Sequence, residues 1–300
     1  MTDIIIVGGG PAGLTAAVYA RRAGKSVLVL EKTGFGGQIT LSPKVENIPG
    51  FKEITGVEFG DLLTEQALAQ GAECDVAEVL EIRDGETKTV VTDMGEYEAK
   101  AVIIATGATH RRLGLENEEQ LIGNGISFCA VCDGAFYEGE TVGVVGGGNS
   151  ALQEAIQLSA VCKEVLIFQD LPYLTGEAML QQEIERKENI KVRTGVRVVS
   201  YLGEETLTGI RVRDAKTGET ADVPLAGLFV AIGLVPQNEP FKGLLPLDER
   251  GYLSAGAEME SSVPGIFIAG DCRNKRIRQV TTAVSDGAVA ALSACAYLDR

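Results

Sequence analysis

Two glycine-rich turns constrain this chain's fold more than any other feature. The first lies in "IIIVGGGPAG", a β-branched apolar run followed by Gly8-x-Gly10-x-x-Gly13 and an alanine-rich segment. This order predicts a strand, a tight turn and a helix, with backbone amides free to approach a pyrophosphate. The next strand, "SVLVLE", ends in Glu31, whose carboxylate suits the hydroxyls of an adenosine ribose. The sequence therefore predicts a dinucleotide site near its start.

The same pattern occurs again in the middle of the chain. "TVGVVGGGNSALQEA" contains Gly146-x-Gly148-x-x-Ala151, and the apolar run "EVLIF" follows it. Alanine is an accepted variant at the third position. The residue that corresponds to Glu31 is Gln169, and Asp170 follows it. The repeat predicts a second nucleotide module, or a module of this fold kept as a scaffold without a nucleotide.

Two further apolar runs predict how the modules are connected. "AKAVIIATGA" and "GIFIAGDC" both read as buried strands that end at small residues, and ligands lie at such strand ends in parallel sheets. We predict an α/β fold of two Rossmann-like, three-layer ββα nucleotide-binding domains, the second inserted into the first. The predicted boundaries give a discontinuous dinucleotide-binding domain of residues 1–113 plus 242–300. Residues 114–241 form the inserted, NAD(P)H-like domain.

Composition excludes several classes of partner. The 300 residues have a formal net charge of −15, which disfavours nucleic acid and anionic membrane surfaces. No apolar run approaches the roughly 18 residues of a membrane span. The start of the chain lacks the features of a signal peptide, so we expect a cytoplasmic protein.

The cysteines point to redox chemistry. Cys129 and Cys132 form a C-x-x-C pair in "SFCAVCDG", with Asp133 beside them as a proton donor or acceptor for thiolate exchange. Half of a zinc site is the alternative, but the chain has no second such pair and its one histidine, His110, stands alone, so we predict no metal. The other cysteines are expected to be small buried apolar residues: Cys74, Cys162, Cys272 and Cys295.

A dithiol on its own takes electrons but cannot take hydride. A flavin passes two electrons to an adjacent disulfide, which explains why a dinucleotide module and a C-x-x-C pair share one chain. The first glycine turn is therefore predicted to hold FAD.

Nearly the whole chain resembles the low-molecular-weight thioredoxin reductases. Motifs of that family occur in order: "GGGPAG", "GFGGQIT", "VENIPGF", "IIATGA", "FCAVCDG", "GGGNSA", "FVAIGLVP", "GIFIAGD" and "RQV". The resemblance implies a homodimer that reduces thioredoxin through a Cys129–Cys132 disulfide, with Cys132 nearer the flavin and Asp133 the acid/base. It also implies the residues that line FAD: Gly8, Gly10, Pro11, Ala12, Gly13, Glu31, Gly37, Gln38, Asn47, Thr106, Gly107, Gly270, Asp271, Arg278, Gln279 and Val280.

The chain departs from this family where NADPH would bind. Relatives that use NADPH carry a His-Arg-Arg segment at the end of the second strand, where arginine pairs with the 2′-phosphate. Here Gln169, Asp170, Leu171 and Pro172 occupy that segment, and Leu234 stands where many relatives have histidine. Losing several charged contacts, each about 1.5–3 kcal/mol, predicts weak NADPH binding. NADH remains open, because Asp170 could accept from ribose hydroxyls.

A basic cluster suggests another electron donor. "CRNKRIRQV" places Arg273, Lys275, Arg276 and Arg278 close together in an otherwise acidic chain. Ferredoxins are acidic, so a basic patch of Arg273, Lys275 and Arg276 would steer one to the flavin. The alternative is a solvated loop in which Arg278 serves FAD alone.

The sequence thus predicts an FAD-dependent disulfide oxidoreductase that reduces thioredoxin, with reduced ferredoxin as donor in preference to NADPH. In this it is similar to ferredoxin-dependent flavin thioredoxin reductases. Three other functions stay open: an NAD(P)H-dependent thioredoxin reductase, a dithiol oxidase of the same fold that passes electrons to oxygen, and a flavin-binding redox sensor.

Overall fold

The computed structural model describes residues 1–42 and 44–300 and is an α/β protein. Its strands are β1 Thr2–Val7, β2 Val27–Glu31, β3 Glu73–Val76, β4 Val79–Arg83, β5 Lys88–Thr92, β6 Gly95–Ile104, β7 Ala108–His110, β8 Ile126–Ser127, β9 Thr141–Val145, β10 Glu164–Gln169, β11 Ile190–Thr194, β12 Val196–Leu202, β13 Gly209–Asp214, β14 Thr220–Pro224, β15 Gly227–Val230, β16 Leu234–Pro236 and β17 Ile266–Ile268. Its α-helices are α1 Pro11–Arg22, α2 Gly56–Ala69, α3 Glu118–Leu121, α4 Ala130–Asp133, α5 Asn149–Leu158, α6 Ala178–Glu185 and α7 Val280–Leu298. Short 3₁₀ turns lie at Gly37–Leu41, Gly134–Tyr137, Glu239–Phe241 and Gly270–Cys272.

The chain divides into two compact units. Unit 1 contains residues 1–109 and 235–300, and unit 2 contains residues 110–234. The boundaries expected from the sequence, 113/114 and 241/242, differ from these by a few residues. Leu113 belongs with unit 2, where it packs on that unit's core, whereas Asn238 and Phe241 are buried within unit 1.

Unit 1 is built on a seven-stranded sheet. Strands β3, β2, β1, β6 and β17 run parallel, and β6 is long enough to pair antiparallel with β5 through its first half. Ile4 and Ile6 face one side of the sheet, against the small residues of α1 and α7, while Ile5 and Val7 face the other. Apolar side chains on both faces are what a parallel sheet covered on both sides requires.

Unit 2 repeats this plan at a smaller scale. A five-stranded parallel sheet has the order β11-β10-β9-β15-β8, and β12, β13 and β14 form a separate antiparallel sheet. Val142 and Val144 face α5, whereas Val145 faces the antiparallel sheet. Both predicted glycine turns therefore follow an internal strand of a parallel sheet, β1 or β9, and open a helix, α1 or α5.

Candidate functional site

The first glycine turn (Gly8–Gly13) has the close approaches that require glycine. Gly8 has a φ of 113°, and a Cβ there would lie 2.3 Å from the Ala105 carbonyl oxygen. A Cβ at Gly13 would lie 1.9 Å from the Gly8 carbonyl oxygen. Gly10 caps α1, and Pro11 occupies the first helical position, where a missing amide hydrogen costs no bond. The amides at the start of α1 are thus left open to a ligand.

Glu31 is held at the end of β2 by this turn. Its Oε2 accepts a hydrogen bond from the Gly9 amide at 2.7 Å, and its Oε1 accepts one from the Thr33 amide at 3.2 Å. The segment after β2 then folds back on the turn. The Gly36 amide donates to the Gly9 carbonyl oxygen at 2.8 Å, and a Cβ at Gly37 would lie 2.9 Å from the Gly10 Cα. Gln38 follows in the 3₁₀ turn Gly37–Leu41.

The ends of β6 and β17 bring other predicted residues to the same unit. After β6, Thr106 donates to Asn238 Oδ1 at 3.3 Å, and Gly107 follows with a φ of 67°. After β17, Gly270 has a φ of 77°, and a Cβ there would lie 2.9 Å from the Ala12 Cβ. The Gly270 amide donates to Asp286 Oδ2 at 3.1 Å. These turns converge on the beginning of α1.

The basic cluster is largely neutralised inside unit 1, which corrects the docking patch expected from the sequence. Arg273 pairs with Asp286 at 2.9 Å. Lys275, with 7 % of its side chain exposed, pairs with Asp286 and with Asp271 at 3.1 Å each. Because these two cations pair with carboxylates of unit 1, they add little free positive charge, and of the three predicted patch residues Arg276 is the exposed one.

Arg278 remains directed into the interior of unit 1. Its guanidinium lies over the Tyr252 ring, 4.4 Å from the centroid. Its Nε is buried and has no hydrogen-bond partner within residues 1–42 and 44–300. Gln279 is the N-cap of α7, which starts at Val280, and the Gln279 Oε1 accepts a hydrogen bond from Asn47 Nδ2 at 3.4 Å. A buried cationic donor without an acceptor is what an anionic ligand would satisfy.

The two cysteines of the C-x-x-C pair form a disulfide in unit 2, with their Cα atoms 5.3 Å apart. Cys129 precedes α4, and its sulfur accepts a hydrogen bond from the Cys132 amide at 3.2 Å. Val131, between the cysteines, is 53 % exposed. An exposed loop with an amide donor at one sulfur favours the thiolate of that cysteine after reduction. Of the other cysteines, Cys162, Cys272 and Cys295 are buried, as expected, and Cys74 is half-buried.

Asp133 lies directly after the disulfide on α4. Its Oδ2 accepts a hydrogen bond from the Ser127 hydroxyl at 2.6 Å, while its Oδ1 is buried without a hydrogen-bond partner among the described residues. Burial raises the pKa of this carboxyl, and the Ser127 hydroxyl opposes that rise. A raised pKa brings a carboxyl closer to the range in which it exchanges protons near neutrality.

His110 also contacts the residue before the first cysteine. Its ring stacks on Phe128, with the centroids 4.8 Å apart. Burial lowers the pKa of His110 to about 4, so the imidazole is neutral at physiological pH. His110 packs as an aromatic ring on the Cys129 loop.

The second glycine turn (Gly146–Ala151) has the same backbone but a different strand end. Gln169 lies against Gly147, where a Cβ would be 2.7 Å from its amide carbon, and its Nε2 donates to the Tyr173 carbonyl oxygen at 3.5 Å. Asp170 lies 3.8 Å from Arg197. Arg193 lies over the Phe168 ring, 5.7 Å from the centroid. Cations from β11 and β12 therefore lie near this strand end, although the sequence segment after it has none.

Several residues of these sites escaped the sequence analysis. Ser127 and Asn238 are buried polar residues with no distinguishing motif, and Tyr252 lies in a loop far along the chain from Arg278. Glu154 on α5 is a buried carboxyl whose Oε2 has no partner within the described ranges, and burial raises its pKa to about 8. The sequence signal for Glu154 is its spacing, three residues after Ala151 and four before Leu158, which places it on the buried face of α5.

Comparison with known proteins defines the class. The pyridine nucleotide-disulphide oxidoreductase family model matches residues 2–287. A 34.2 kDa protein in a rubredoxin operon of Clostridium pasteurianum is 42% identical over 99% of this chain and 97% of its own. Thioredoxin reductase of Bacillus subtilis is 40% identical over 99% of this chain and 95% of its own. The crystal structure of thioredoxin reductase from Streptococcus pyogenes superposes with a TM-score of 0.96, at 38% identity, over 100% of this chain and 98% of that one.

The chain therefore belongs to the pyridine nucleotide-disulphide oxidoreductases and, within them, to the low-molecular-weight thioredoxin reductases. The fold predicted from the sequence is confirmed, and FAD is the cofactor of this family. The residues of unit 1 fit FAD, since Gly8, Gly13 and Gly37 leave room at the start of α1 and Arg278 offers an unsatisfied buried donor. Within the described residues, no helix is long and apolar enough to cross a membrane, and no three metal-ligating side chains are grouped.

Proposed function

We propose that this protein reduces the disulfide of thioredoxin with its own Cys129–Cys132 dithiol, using Asp133 as the acid/base. The observation that supports this best is the Cys129–Cys132 disulfide with the buried, half-satisfied carboxyl of Asp133 next to it. The relatives called thioredoxin reductase supply the substrate class. When bound at the first glycine turn of unit 1, FAD would supply the electron pair that opens the disulfide.

The two cysteines would reduce thioredoxin by two successive thiol–disulfide exchange steps. The Cys129 thiolate, which keeps the Cys132 amide as a donor, attacks one sulfur of the thioredoxin disulfide. A mixed disulfide forms, and the released thioredoxin thiolate takes the proton of the Asp133 carboxyl, which leaves Asp133 as the carboxylate for the next step. Cys132 then loses its proton to the Asp133 carboxylate and attacks Cys129, which closes the protein's disulfide and releases the second thioredoxin thiol.

For the electron donor, we propose reduced ferredoxin in preference to NADPH. In unit 1 the Glu31 carboxylate accepts a hydrogen bond from the glycine turn. In unit 2 Gln169 occupies the corresponding position, and its side-chain amide donates to the Tyr173 carbonyl oxygen. Asp170 adds negative charge where a 2′-phosphate would lie, which disfavours that ligand. The relative in a rubredoxin operon supports a protein donor, since its name places it beside a redox protein. Arg276 is the exposed cation that we assign to steering this donor.

A second function, an NAD(P)H-dependent thioredoxin reductase, is favoured by one specific observation. Arg193 and Arg197 lie beside the end of β10, although both come from later strands. The guanidinium of Arg197 faces Asp170 at 3.8 Å and is exposed, so it is available to a phosphate as well. The matched family is also described by its pyridine nucleotide.

A single anaerobic experiment separates the two donors. The purified flavoprotein is mixed in parallel with NADPH, NADH and photoreduced ferredoxin, and the loss of flavin absorbance is followed over time. We expect rapid bleaching by ferredoxin and slow bleaching by NADPH. Rapid stoichiometric bleaching by NADPH would establish the pyridine-nucleotide enzyme instead. Adding oxidised thioredoxin should restore the absorbance, and rapid restoration by oxygen alone would indicate a dithiol oxidase.

Three further assignments belong to this proposal, and the oligomeric state has a direct test. We propose that unit 1 binds FAD, that unit 2 presents the dithiol, and that the protein is a cytoplasmic homodimer like the family it resembles. Sedimentation equilibrium measures the oligomeric state, and a monomer across micromolar concentrations would contradict it.

A further inference from the structure

Ser127 is the last residue of β8, and its hydroxyl is shared between two groups of the dithiol loop. Its Oγ donates to Asp133 Oδ2 at 2.6 Å and accepts from the Cys129 amide at 3.1 Å. The residue is 5 % exposed, so water does not compete for these bonds. One buried side chain thus ties the nucleophile's backbone to the carboxylate.

The bond from Ser127 makes the two oxygens of Asp133 unequal. Oδ2 is occupied, while Oδ1 is buried and has no hydrogen-bond partner among the described residues. A buried oxygen without a donor is costly unless a function uses it. Fixing one oxygen also fixes the plane of the carboxyl, and so the direction of the other.

We propose that Ser127 is a positioning residue for the dithiol exchange: it orients Asp133 so that Oδ1 is the oxygen that exchanges protons, and it anchors Cys129 in the same hydrogen-bond network. The inference rests on the proposed function, in which Asp133 is the acid/base. Ser127 acts through Asp133 and not on the substrate.

The surroundings of Asp133 determine the pKa of its carboxyl and hence how the rate of exchange depends on pH. Burial is the largest influence and raises the pKa of Asp133, while the Ser127 hydroxyl lowers it. Tyr137, on the turn that follows α4, is a titratable side chain close enough for the charge of Asp133 to affect its pKa. Burial raises the pKa of Tyr137 to about 12, with smaller contributions from Asp133 and Cys162, so Tyr137 stays neutral in the working range. Removing the Ser127 hydroxyl leaves burial unopposed and raises the pKa of Asp133 further.

The test follows the transfer to disulfides directly. Full-length flavoprotein is reduced with dithionite, mixed anaerobically with oxidised thioredoxin at pH 5 to 9, quenched with iodoacetamide, and the alkylated thioredoxin thiols are counted by mass spectrometry. We expect S127A to be roughly tenfold slower near neutral pH, with its acidic limb moved to higher pH, and S127T to restore both. Ser159→Ala is the matched control, at a half-buried serine of the same unit whose hydroxyl donates to the Ile156 carbonyl oxygen, and it should behave as the wild type.

Two outcomes decide the inference. S127A with the wild-type rate and pH profile would overturn it. A double variant S127A/D133N that is no slower than D133N would support it, because Ser127 would then act only through Asp133. If S127A does not retain FAD, S127G, which also lacks the hydroxyl, is measured in its place.

A parallel series with the small disulfide DTNB separates this inference from the proposed function. A wild-type protein that reduces DTNB but not thioredoxin would contradict the thioredoxin assignment alone. The pH profile of S127A with DTNB would still decide the role of Ser127.

Discussion

The two glycine turns share a backbone and differ in the side chain at the strand end. The amides of Gly8 and Gly146 bond to the strand-end carbonyls of Leu30 and Phe168 at 2.8 and 2.9 Å. Each turn is then capped by a later segment, through the Gly36 amide in unit 1 and the Thr175 amide in unit 2, both at 2.8 Å. The shared turn is therefore a feature of the fold, and the side chain at the strand end is where the two units differ.

That strand end carries opposite chemistry in the two units. Glu31 accepts a hydrogen bond from the turn, and its carboxylate oxygens have further lone pairs that could accept from ribose hydroxyls. Gln169 directs its amide to a backbone carbonyl, and Asp170 beyond it faces an arginine. The difference separates a unit that holds a dinucleotide from one whose nucleotide, if any, is recognised by other groups.

The largest expected effect is that of adding one methyl group to the first turn. Gly13→Ala places a Cβ 1.9 Å from the Gly8 carbonyl oxygen, a clash between backbone segments that no rotamer relieves. We expect a colourless protein or a thermal midpoint lowered by more than 10 °C, measured by flavin absorbance and calorimetry. In unit 2 the third position is already alanine, so Ala151→Gly should cost only about 1 kcal/mol of unfolding free energy. A yellow, stable Gly13→Ala protein would contradict the packing argument.

Next in size is the loss of the active dithiol. Cys132→Ser removes the disulfide that receives electrons, so thioredoxin reduction should fall by at least about a thousandfold while the FAD content is unchanged. Cys74→Ser, at a half-buried free cysteine of unit 1, is the control and should retain activity. Activity that survives in Cys132→Ser would move the chemistry elsewhere. This variant sharpens the comparison, because it separates cofactor retention in unit 1 from disulfide chemistry in unit 2.

Exchanging the strand-end acid tests the comparison itself. Glu31→Gln gives unit 1 the residue of unit 2 and replaces one carboxylate acceptor by a donor. FAD affinity should fall by roughly 10- to 100-fold, the worth of a charged hydrogen bond, as measured by fluorescence titration of the apoprotein. Gln169→Ala should leave FAD affinity unchanged. An equal loss in both variants would mean that the two strand ends do not differ in role.

The converse change should create a nucleotide preference. Asp170→Arg with Leu171→Arg places two cations at exposed positions after β10 and removes a repelling charge. The rate of flavin reduction by NADPH should rise about tenfold or more, with NADH affected less. Asp170→Ala separates the loss of repulsion from the gain of attraction. No gain in the double variant would show that other groups block the site.

The smallest effect is expected at the exposed cation of unit 1. Arg276→Glu should slow flavin reduction by ferredoxin a few-fold at low salt, with the difference vanishing as ionic strength rises. Arg111→Glu, an exposed cation of unit 2, is the matched control. An identical rate and salt dependence in Arg276→Glu would remove this residue from donor binding.

The strands, turns and helices around the two glycine motifs follow from the sequence, because the spacing of these glycines reflects close backbone contacts between residues near one another in the chain. Gly8, Gly13 and Glu31 interact through neighbouring strands of one βαβ unit, so their roles follow from position alone. The unit boundaries were displaced by a few residues because Asn238 is secured by the distant Thr106, Gly251 and Cys272.

Charge could not be predicted in the same way. The run from Arg273 to Arg278 reads as a basic surface, but Asp271 and Asp286 neutralise two of its cations through contacts that only the folded chain makes. The same holds for Arg193 and Arg197, which reach the end of β10 from later strands. Ser127 gave no signal, since its role depends on which carboxylate lies opposite its hydroxyl.

The interruption of unit 1 by unit 2 has a consequence for how the protein is made. Helix α7 packs closely on α1, since a Cβ at Gly287 would lie 2.1 Å from the Ala12 carbonyl oxygen. Strand β17 pairs with β6 in the sheet of unit 1. Both elements leave the ribosome after all of unit 2. Because domains generally fold as units during synthesis, we expect unit 2 to fold first and unit 1 to complete its core only after α7 has been translated.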